Sequence, residues 1–218
     1  MPNANFTQTY GMTELAPVGT LLAGEDRTDP ALARSYGRAA HAEVRIVDPD
    51  DTEVPRDTVG EIIVRGDNVM LGYWNMPDET AAALRGGRMH TGDAGYMDDR
   101  GYVFVVDRLK NMIVSGGENV YSAEVENALV EHPSISQAAV IGQPDDLWGE
   151  RVHSVLVCND GVEIDLQAAR SFCRRHIANY KPPRRIEWVD ALPVSDAGKV
   201  LKRELRQTHW PTIGRGIN

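Results

Sequence analysis

Between residues 36 and 107 the sequence consists of short apolar segments interrupted by polar turns, and this pattern limits the folds open to it. Short runs with β-branched side chains suit strands, and clusters of Asp and Gly suit the turns between them. A helix with Pro77 in its first turn, ending before Gly86-Gly87, interrupts these runs. The segments with strand character are Glu43–Val47, Glu61–Arg65 and Tyr102–Val106. The pattern predicts a small β-rich, barrel-like unit, preceded by a loop over residues 16–35.

After Arg108 the pattern changes to a mixture of helices and strands. We expect Ser122 to cap a helix over Ala123–Glu131, and Asp165 to cap a second helix that ends near His176. The other expected elements are strands at Gln137–Gly142, Val152–Cys158 and Ile186–Val189, and a short helix at Leu201–Thr208. This order predicts a compact α+β domain. We therefore place two domains at residues 1–107 and 108–218, with their boundary near Asp107–Lys110.

Composition excludes several classes of partner. The formal net charge is -9, which argues against the basic surface that nucleic acids or anionic membranes require. No apolar run reaches the roughly 18–20 residues of a membrane span. Cys158 and Cys173 have no metal-like spacing, and we interpret them as reduced core residues. The sequence predicts a cytoplasmic protein without a transmembrane segment that does not bind nucleic acid, although a local group of amides and cations can still bind a nucleotide.

Two segments of the first half carry groups suited to a nucleotide. In Tyr10-Gly11-Met12-Thr13-Glu14 a hydroxyl can donate to phosphate and a carboxylate can hold Mg²⁺. In His90-Thr91-Gly92-Asp93 a carboxylate after a Gly turn can accept both hydroxyls of a ribose. Taken alone, each segment fits a structural role better, as a surface turn with a Thr cap or as an Asx turn.

Two later segments carry complementary groups. Arg108 can add a second contact to a ribose, and Ser115-Gly116-Gly117 allows close approach to a backbone without Cβ atoms. Lys199 follows Gly198 on a loop and can move into a site to stabilise a transferring phosphoryl group. The alternatives are a flexible hairpin turn and a solvated lysine. Lys202, Arg203 and Arg206 are interpreted as solvated helix positions.

Together with segments 60–66 and 72–74, these four segments occur in the order and spacing of a known family. The chain resembles the C-terminal portion of adenylate-forming enzymes, which include acyl-CoA synthetases, peptide-synthetase adenylation domains and firefly luciferase. Segments 115–121 and 198–204 are most similar to fatty acyl-CoA synthetases. The resemblance covers nearly the whole chain. It implies an α+β fold, with a β-barrel-like subdomain from the end of the large adenylation domain followed by a small α+β lid domain.

The resemblance also implies a reaction. In this family a carboxylate attacks the α-phosphate of ATP to give an acyl-adenylate and pyrophosphate, and a thiol, usually that of CoA, then displaces AMP. The implied ligands are a carboxylic acid, ATP or AMP, Mg²⁺ and coenzyme A. By motif match, Thr13 would contact phosphate and Glu14 would hold Mg²⁺. The remaining nucleotide contacts would come from Tyr10 and Gly11 on the adenine side and from Asp93 and Arg108 at the ribose.

The resemblance assigns the second domain to two half-reactions. Lys199 would stabilise the first transition state by bridging the carboxylate and the phosphate. Lys110 occupies the family's hinge position, and rotation about it would replace Lys199 with the loop that lines the pantetheine tunnel, at Gly116, Gly117 and Glu118. One domain would then act as the lid for both steps.

The position of the segment at residues 8–14 raises a further expectation. In the family this segment lies deep inside the large domain, so we expect a C-terminal fragment of an acyl-CoA synthetase that is incompetent alone for full adenylation. The phosphate loop and most of the acyl pocket would precede Met1. Ala94 and Met89 are mild departures from the family pattern. The alternatives are an adenylation module of a peptide synthetase and a non-catalytic partner-binding module, with self-association through a face formed by residues 1–35.

Overall fold

The structure, a computed structural model, describes residues 6–159 and 161–209. The outer limits of the two predicted domains and the segment 1–5 lie outside the described residues. The chain divides into two compact units, Met1–Leu109 and Lys110–Asn218, which are described separately below. Within the described ranges, no helix has the length and apolar character needed to cross a membrane.

In its described residues, the first unit contains two antiparallel sheets. A three-stranded sheet has the order β1-β2-β3 and a four-stranded sheet has the order β4-β5-β6-β7. The strands of the first sheet are β1 (Gln8–Tyr10), β2 (Thr20–Leu22) and β3 (Arg38–Ala39). Those of the second are β4 (Glu43–Val47), β5 (Gly60–Arg65), β6 (Met89–Met97) and β7 (Val103–Arg108), and helix α1 spans Pro77–Ala83. Short 3₁₀ turns occupy Thr13–Leu15, Asp26–Thr28, Pro30–Leu32 and Arg85–Gly87, and another, Leu109–Asn111, follows β7.

Both sheets of this unit contribute to one apolar core. Tyr10 and Leu15 pack with Ile46, Ile62 and Val64 of the four-stranded sheet. In the described residues neither sheet closes on itself by hydrogen bonds, so the barrel-like character lies in the shared core rather than in a closed cylinder. The expected loop over residues 16–35 is wrong at β2, because Thr20 and Leu22 are buried there and pair with β1.

The second unit is built on a five-stranded mixed sheet. Strand β11 pairs antiparallel with β10 and parallel with β12, and it also joins β8 of the β8–β9 hairpin. The strands are β8 (Ile113–Ser115), β9 (Glu118–Val120), β10 (Ile135–Asp145), β11 (Gly149–Cys158) and β12 (Arg185–Trp188). The helices are α2 (Ser122–Val130), α3 (Leu166–Cys173) and α4 (Lys202–His209).

Strand alternation places different cores on the two faces of this sheet. Val140, Val152 and Leu156 pack with residues of α2 and α3 on one face. Ala139, Ile141 and Val155, one residue out of phase, pack with Leu205 of α4 on the other face. The α+β class is confirmed.

Two expectations about caps and charges have different outcomes. Asp165 caps α3 as expected, accepting a hydrogen bond from the Ala168 amide at 2.7 Å. Ser122 does not cap α2: it is the first helical residue, and its Oγ accepts from Lys202 Nζ at 2.7 Å. Lys202 is therefore not a solvated position, since its ammonium also lies 2.7 Å from a Glu126 carboxylate oxygen. The charge of Lys202 links α4 to α2.

The two cysteines differ in environment. Cys173 is fully buried in the core with α2 and α3, whereas Cys158 is half-buried. Both thiols are free, in accordance with the sequence prediction, but only Cys173 is a core residue. Burial raises the pKa of the Cys173 thiol to about 11.

Candidate functional site

The segment His90-Thr91-Gly92-Asp93 lies inside strand β6, not in a turn before it as expected. The strand is nonetheless irregular here, because its register with β5 shifts between Glu61 and Ile63. Gly92 has a φ of +69°, a conformation that favours glycine. Its amide donates to Glu61 Oε1 at 3.0 Å. Such an irregularity turns the following side chain, here Asp93, out of the regular pleat.

The Asp93 carboxylate is held by two other predicted site residues. The Tyr10 hydroxyl donates to Asp93 Oδ2 at 2.8 Å, and Arg108 Nε lies 3.1 Å from Oδ1. Asp93 and Arg108 are direct partners in the β6–β7 register, and Tyr10 reaches them from β1. The structure therefore brings together three residues that are far apart in sequence.

Burial differs across this cluster. Tyr10 and Asp93 are each 8% exposed, whereas the Arg108 side chain is 54% exposed. Burial, and then the negative charge and hydrogen bond of Asp93, raise the pKa of the Tyr10 phenol. The phenol therefore keeps its proton at neutral pH and donates steadily to the carboxylate. Each Asp93 oxygen retains acceptor capacity for a further hydroxyl.

Glu14 lies in the 3₁₀ turn Thr13–Leu15, which Gly11 and Met12 separate from β1. Its carboxylate Oε1 accepts from the Tyr73 hydroxyl at 2.9 Å, and its backbone oxygen accepts from the Met70 amide at 2.8 Å. Burial, and then Glu14, raise the pKa of Tyr73. Thr13 begins the same turn and is exposed to solvent. The turn thus presents a hydroxyl beside an oriented carboxylate.

Gly11 has a structural reason to be glycine. A Cβ built at this residue would lie 1.7 Å from the carbonyl oxygen of Pro17. The close approach of these two backbone segments leaves no room for a side chain. The role of Gly11 beside adenine remains a prediction.

In the second unit, the Gly-rich segment forms the turn of the β8–β9 hairpin. Gly116 and Gly117 have φ values of +64° and +83°. The Gly116 amide donates to the Trp148 carbonyl at 2.9 Å, and a Cβ on Gly116 would lie 2.7 Å from the Trp148 ring. A Cβ on Gly117 would meet no atom within 4 Å. Gly116 therefore lies against Trp148, while Gly117 and the exposed Glu118 face open space.

Lys199 lies on a short turn closed by backbone hydrogen bonds. The Ser195 amide donates to the Lys199 carbonyl at 2.8 Å, and the Ser195 hydroxyl accepts from the Lys199 amide at 3.2 Å. Gly198 takes a φ of +75° at the tip. The Lys199 side chain is exposed. The backbone at Lys199 is thus held in a closed turn, and the movement of Lys199 into a site remains a prediction.

Several residues of these surroundings were missed by the sequence reasoning. Tyr73 lies in the family-like segment 72–74, but nothing in its spacing pointed to Glu14. Arg206 was interpreted as solvated, yet its guanidinium donates to the Lys110 carbonyl at 3.2 Å and to Asn111 Oδ1 at 3.1 Å. Helix α4 is thereby attached to the predicted hinge residue. Such long-range partners leave no periodic signal in the sequence.

Comparison with known proteins identifies the family. The model of the AMP-binding enzyme family matches residues 1–74, and that of the AMP-binding enzyme C-terminal domain matches residues 124–199. Together they match more than half of the chain. The chain belongs to the adenylate-forming AMP-binding enzymes.

Individual relatives agree with this assignment. The chain is 45% identical to a feruloyl-CoA synthase of Amycolatopsis over 202 residues, which are 93% of this chain and 41% of the relative. The solved o-succinylbenzoate CoA synthetase (MenE) of Bacillus subtilis, in complex with its acyl-adenylate intermediate, is 34% identical with a TM-score of 0.83, over 92% of this chain and 40% of that one.

The amide bond synthetase McbA of Marinactinospora thermotolerans is 39% identical with a TM-score of 0.81, over 93% of this chain and 42% of that one. The chain thus spans about 40% of the length of the relatives that it matches.

Proposed function

We propose that this chain provides the ribose-binding, Mg²⁺-binding and lid portion of an ATP-dependent acyl-CoA synthetase. The observation that carries the proposal is the contact of Tyr10, Asp93 and Arg108, because three separate sequence segments converge there on one carboxylate. A buried carboxylate that is oriented from both sides suits a fixed pair of hydroxyls. A ribose presents such a pair.

The difference in burial between Tyr10 and Arg108 favours binding of a nucleotide on the exposed side of this cluster. Tyr10 donates to Asp93 from within the core, while Arg108 is half-exposed and can contact a ligand as well as the carboxylate. The Arg108 guanidinium also offsets the charge of Asp93 when water is displaced. On this proposal Tyr10 acts mainly by positioning Asp93, in addition to its predicted place on the adenine side.

The residues at Glu14 fit Mg²⁺. The ion prefers carboxylate oxygens and retains several waters, and Glu14 is half-exposed with one oxygen oriented by Tyr73. Bound there, Mg²⁺ would supply charge neutralisation for the phosphates. The exposed Thr13 hydroxyl, on the same turn, is proposed to donate to a phosphate oxygen.

For the second unit we propose two alternating roles. Lys199, exposed on a closed turn, stabilises the charge that develops when the acid attacks the α-phosphate. Gly117 and Glu118, at the open end of the β8–β9 turn, line the path of the CoA pantetheine group. Lys110 serves as the hinge between these states, with Arg206 fixing its carbonyl to α4. We propose a fatty acid as the acyl donor and coenzyme A as the acceptor, because segments 115–121 and 198–204 are most similar to fatty acyl-CoA synthetases.

A chimera tests this proposal. The chain replaces the matching 202 residues of the Amycolatopsis feruloyl-CoA synthase, and the purified chimera is assayed with ATP and CoA for acyl-adenylate and thioester. Feruloyl thioester formation is expected. A folded chimera that forms no acyl-adenylate contradicts the proposal.

The ribose assignment is tested in the same chimera with Asp93→Asn. Loss of one charge-assisted contact of about 1.5–3 kcal/mol is expected to raise KM for ATP by roughly 10- to 100-fold. Asp99→Asn, an exposed position in the β6–β7 turn, is the control. Equal KM values for the two variants would remove Asp93 from the nucleotide site.

A further inference from the structure

Three side chains of the second unit meet outside the proposed nucleotide and CoA contacts. His153 of β11, Glu187 of β12 and His209 of α4 each offer a ligand atom, and these atoms lie within 4.8 Å of one another. Glu187 Oε2 is 3.4 Å from Nε2 of His153 and 3.4 Å from Nε2 of His209. The two imidazole centroids are 4.6 Å apart.

The local structure explains this meeting. His153 lies two residues from Val155, so it points to the sheet face that α4 covers. His209 lies four residues after the buried Leu205, so both side chains project from the same face of α4. Glu187 pairs with Val155 in the parallel β11–β12 register and shares its face. The sheet and the helix thus direct all three groups into one place.

His153 is unusual within this group. It is 0% exposed, and within the described part of the chain neither of its ring nitrogens has a hydrogen-bond partner. Buried polar atoms in native proteins are nearly always satisfied by protein, water or an ion. One of these nitrogens, Nε2, faces Glu187 Oε2 at 3.4 Å, and an ion bound between them would give it a partner.

Two of the three distances between ligand atoms fit a tetrahedral metal ion, and the third is at most 4.8 Å. Zn²⁺ binds imidazole nitrogen and carboxylate oxygen at about 2.0–2.2 Å, which separates neighbouring tetrahedral ligands by roughly 3.3–3.5 Å. The two distances from Glu187 Oε2 have this value. We propose that His153, Glu187 and His209 form a binding site for a divalent transition metal ion, with Zn²⁺ the best fit. Water fills the fourth position from the side of Glu187, whose side chain is 36% exposed.

Nearby charges set the strength of this site. Arg185 pairs with His153 in the β11–β12 register, and Arg151 lies two residues before it on the same strand face. Their positive charge opposes cation binding, whereas the Glu187 carboxylate favours it. Gln143 supports the site, accepting from Arg151 Nε at 3.0 Å and donating to the His209 carbonyl at 3.4 Å. A bound ion would fasten the end of α4 to the sheet and so stabilise the helix that follows Lys199.

The test is a calorimetric titration of the untagged 218-residue chain with ZnCl₂ in metal-free buffer. One saturable site and a raised Tm are expected. Glu187→Gln and His209→Gln should each weaken binding by about 10-fold or more, since even outer-shell changes at metal sites cost roughly that much. His176→Gln is the control because it removes one histidine from a simple pair with Glu131. Circular dichroism verifies that every variant is folded.

Co²⁺ substitution identifies the ligands independently. Visible absorption of a tetrahedral nitrogen–oxygen site that disappears in His209→Gln supports the proposal. A thiolate-to-cobalt charge-transfer band would place the metal at a cysteine and overturn it. So would equal Zn²⁺ affinity in Glu187→Gln, His209→Gln and His176→Gln, or the lack of saturable binding in the wild type.

Discussion

Replacing Tyr10 by Phe removes one hydroxyl and tests how firmly β1 is bound to Asp93. The lost bond is 2.8 Å long and charge-assisted, and both residues are 8% exposed. Hydrogen bonds to charged groups contribute about 1.5–3 kcal/mol. The Arg108 contact to Asp93 remains but is half-exposed and therefore weak. We expect Tyr10→Phe to lower the free energy of unfolding of the first unit by about 2 kcal/mol.

Urea unfolding combined with amide hydrogen exchange in β6 measures this loss. Tyr96→Phe is the control, since Tyr96 lies on the same strand and its ring stacks on Phe104 with centroids 4.7 Å apart. The control should change stability by less than about 0.5 kcal/mol. If Tyr10→Phe is as stable as Tyr96→Phe, the hydroxyl contributes nothing and the argument from burial and charge is refuted.

The same variant should change the alkaline stability of the protein. The pKa of Tyr10 is raised in the folded state, so above about pH 10 the unfolded chain loses this proton while the folded chain keeps it. The unfolded state then binds fewer protons, and stability falls as pH rises. Tyr10→Phe should show a shallower decline above pH 10 than the wild type. Parallel declines would contradict the raised pKa.

Two further outcomes concern the second unit. Lys202→Ala should lower the free energy of unfolding in urea by about 2 kcal/mol, because it removes the ammonium group beside the mostly buried Glu126 carboxylate. Replacing the exposed Arg203 by Ala should lower it by less than about 0.5 kcal/mol. Equal losses in the two variants would contradict the pairing of Lys202 with Glu126. With a thiol reagent at neutral pH, Cys158 should react in the native protein and Cys173 only on unfolding. Cys173 is fully buried, and its pKa is raised to about 11. Rapid labelling of both thiols in the native protein would contradict this difference in burial.

Local patterns carried much of the fold prediction. The strand at Glu43–Val47 has the same limits in the structure, and α1 begins at Pro77 as expected. These elements depend on alternation and on a proline in the first turn, both of which can be read from neighbouring residues. Strand β2 was missed because its three residues are too short for a period to be recognised.

Long-range contacts could not be predicted in the same way. The sequence predicted Asp93 and Arg108 as separate candidates, but not that they are cross-strand partners joined by Tyr10. The assignment of Ser122 as a cap failed because α2 begins one residue earlier than expected, with Tyr121 as its N-cap. The Ser122 hydroxyl instead accepts a hydrogen bond from Lys202, eighty positions away. Partners so far apart are chosen by tertiary packing, which leaves no local signal.

The self-association prediction receives no support. Leu15, Leu22 and Leu32 are at most 2% exposed, so the segment 6–35 buries these side chains, although Phe6 and Leu21 are exposed. Single exposed apolar residues are normal on protein surfaces and do not define an interface.

A single-turnover measurement of both half-reactions in the chimera carrying Lys199→Ala tests whether this chain supplies the lid of an acyl-CoA synthetase. Adenylate formation should fall by about 10²–10³-fold, because one charge-stabilising group is removed from the first transition state. Thioester formation from supplied acyl-adenylate should keep its wild-type rate. In the control variant Arg203→Ala, both half-reactions should keep their wild-type rates. An equal fall in the two half-reactions of Lys199→Ala would contradict the account.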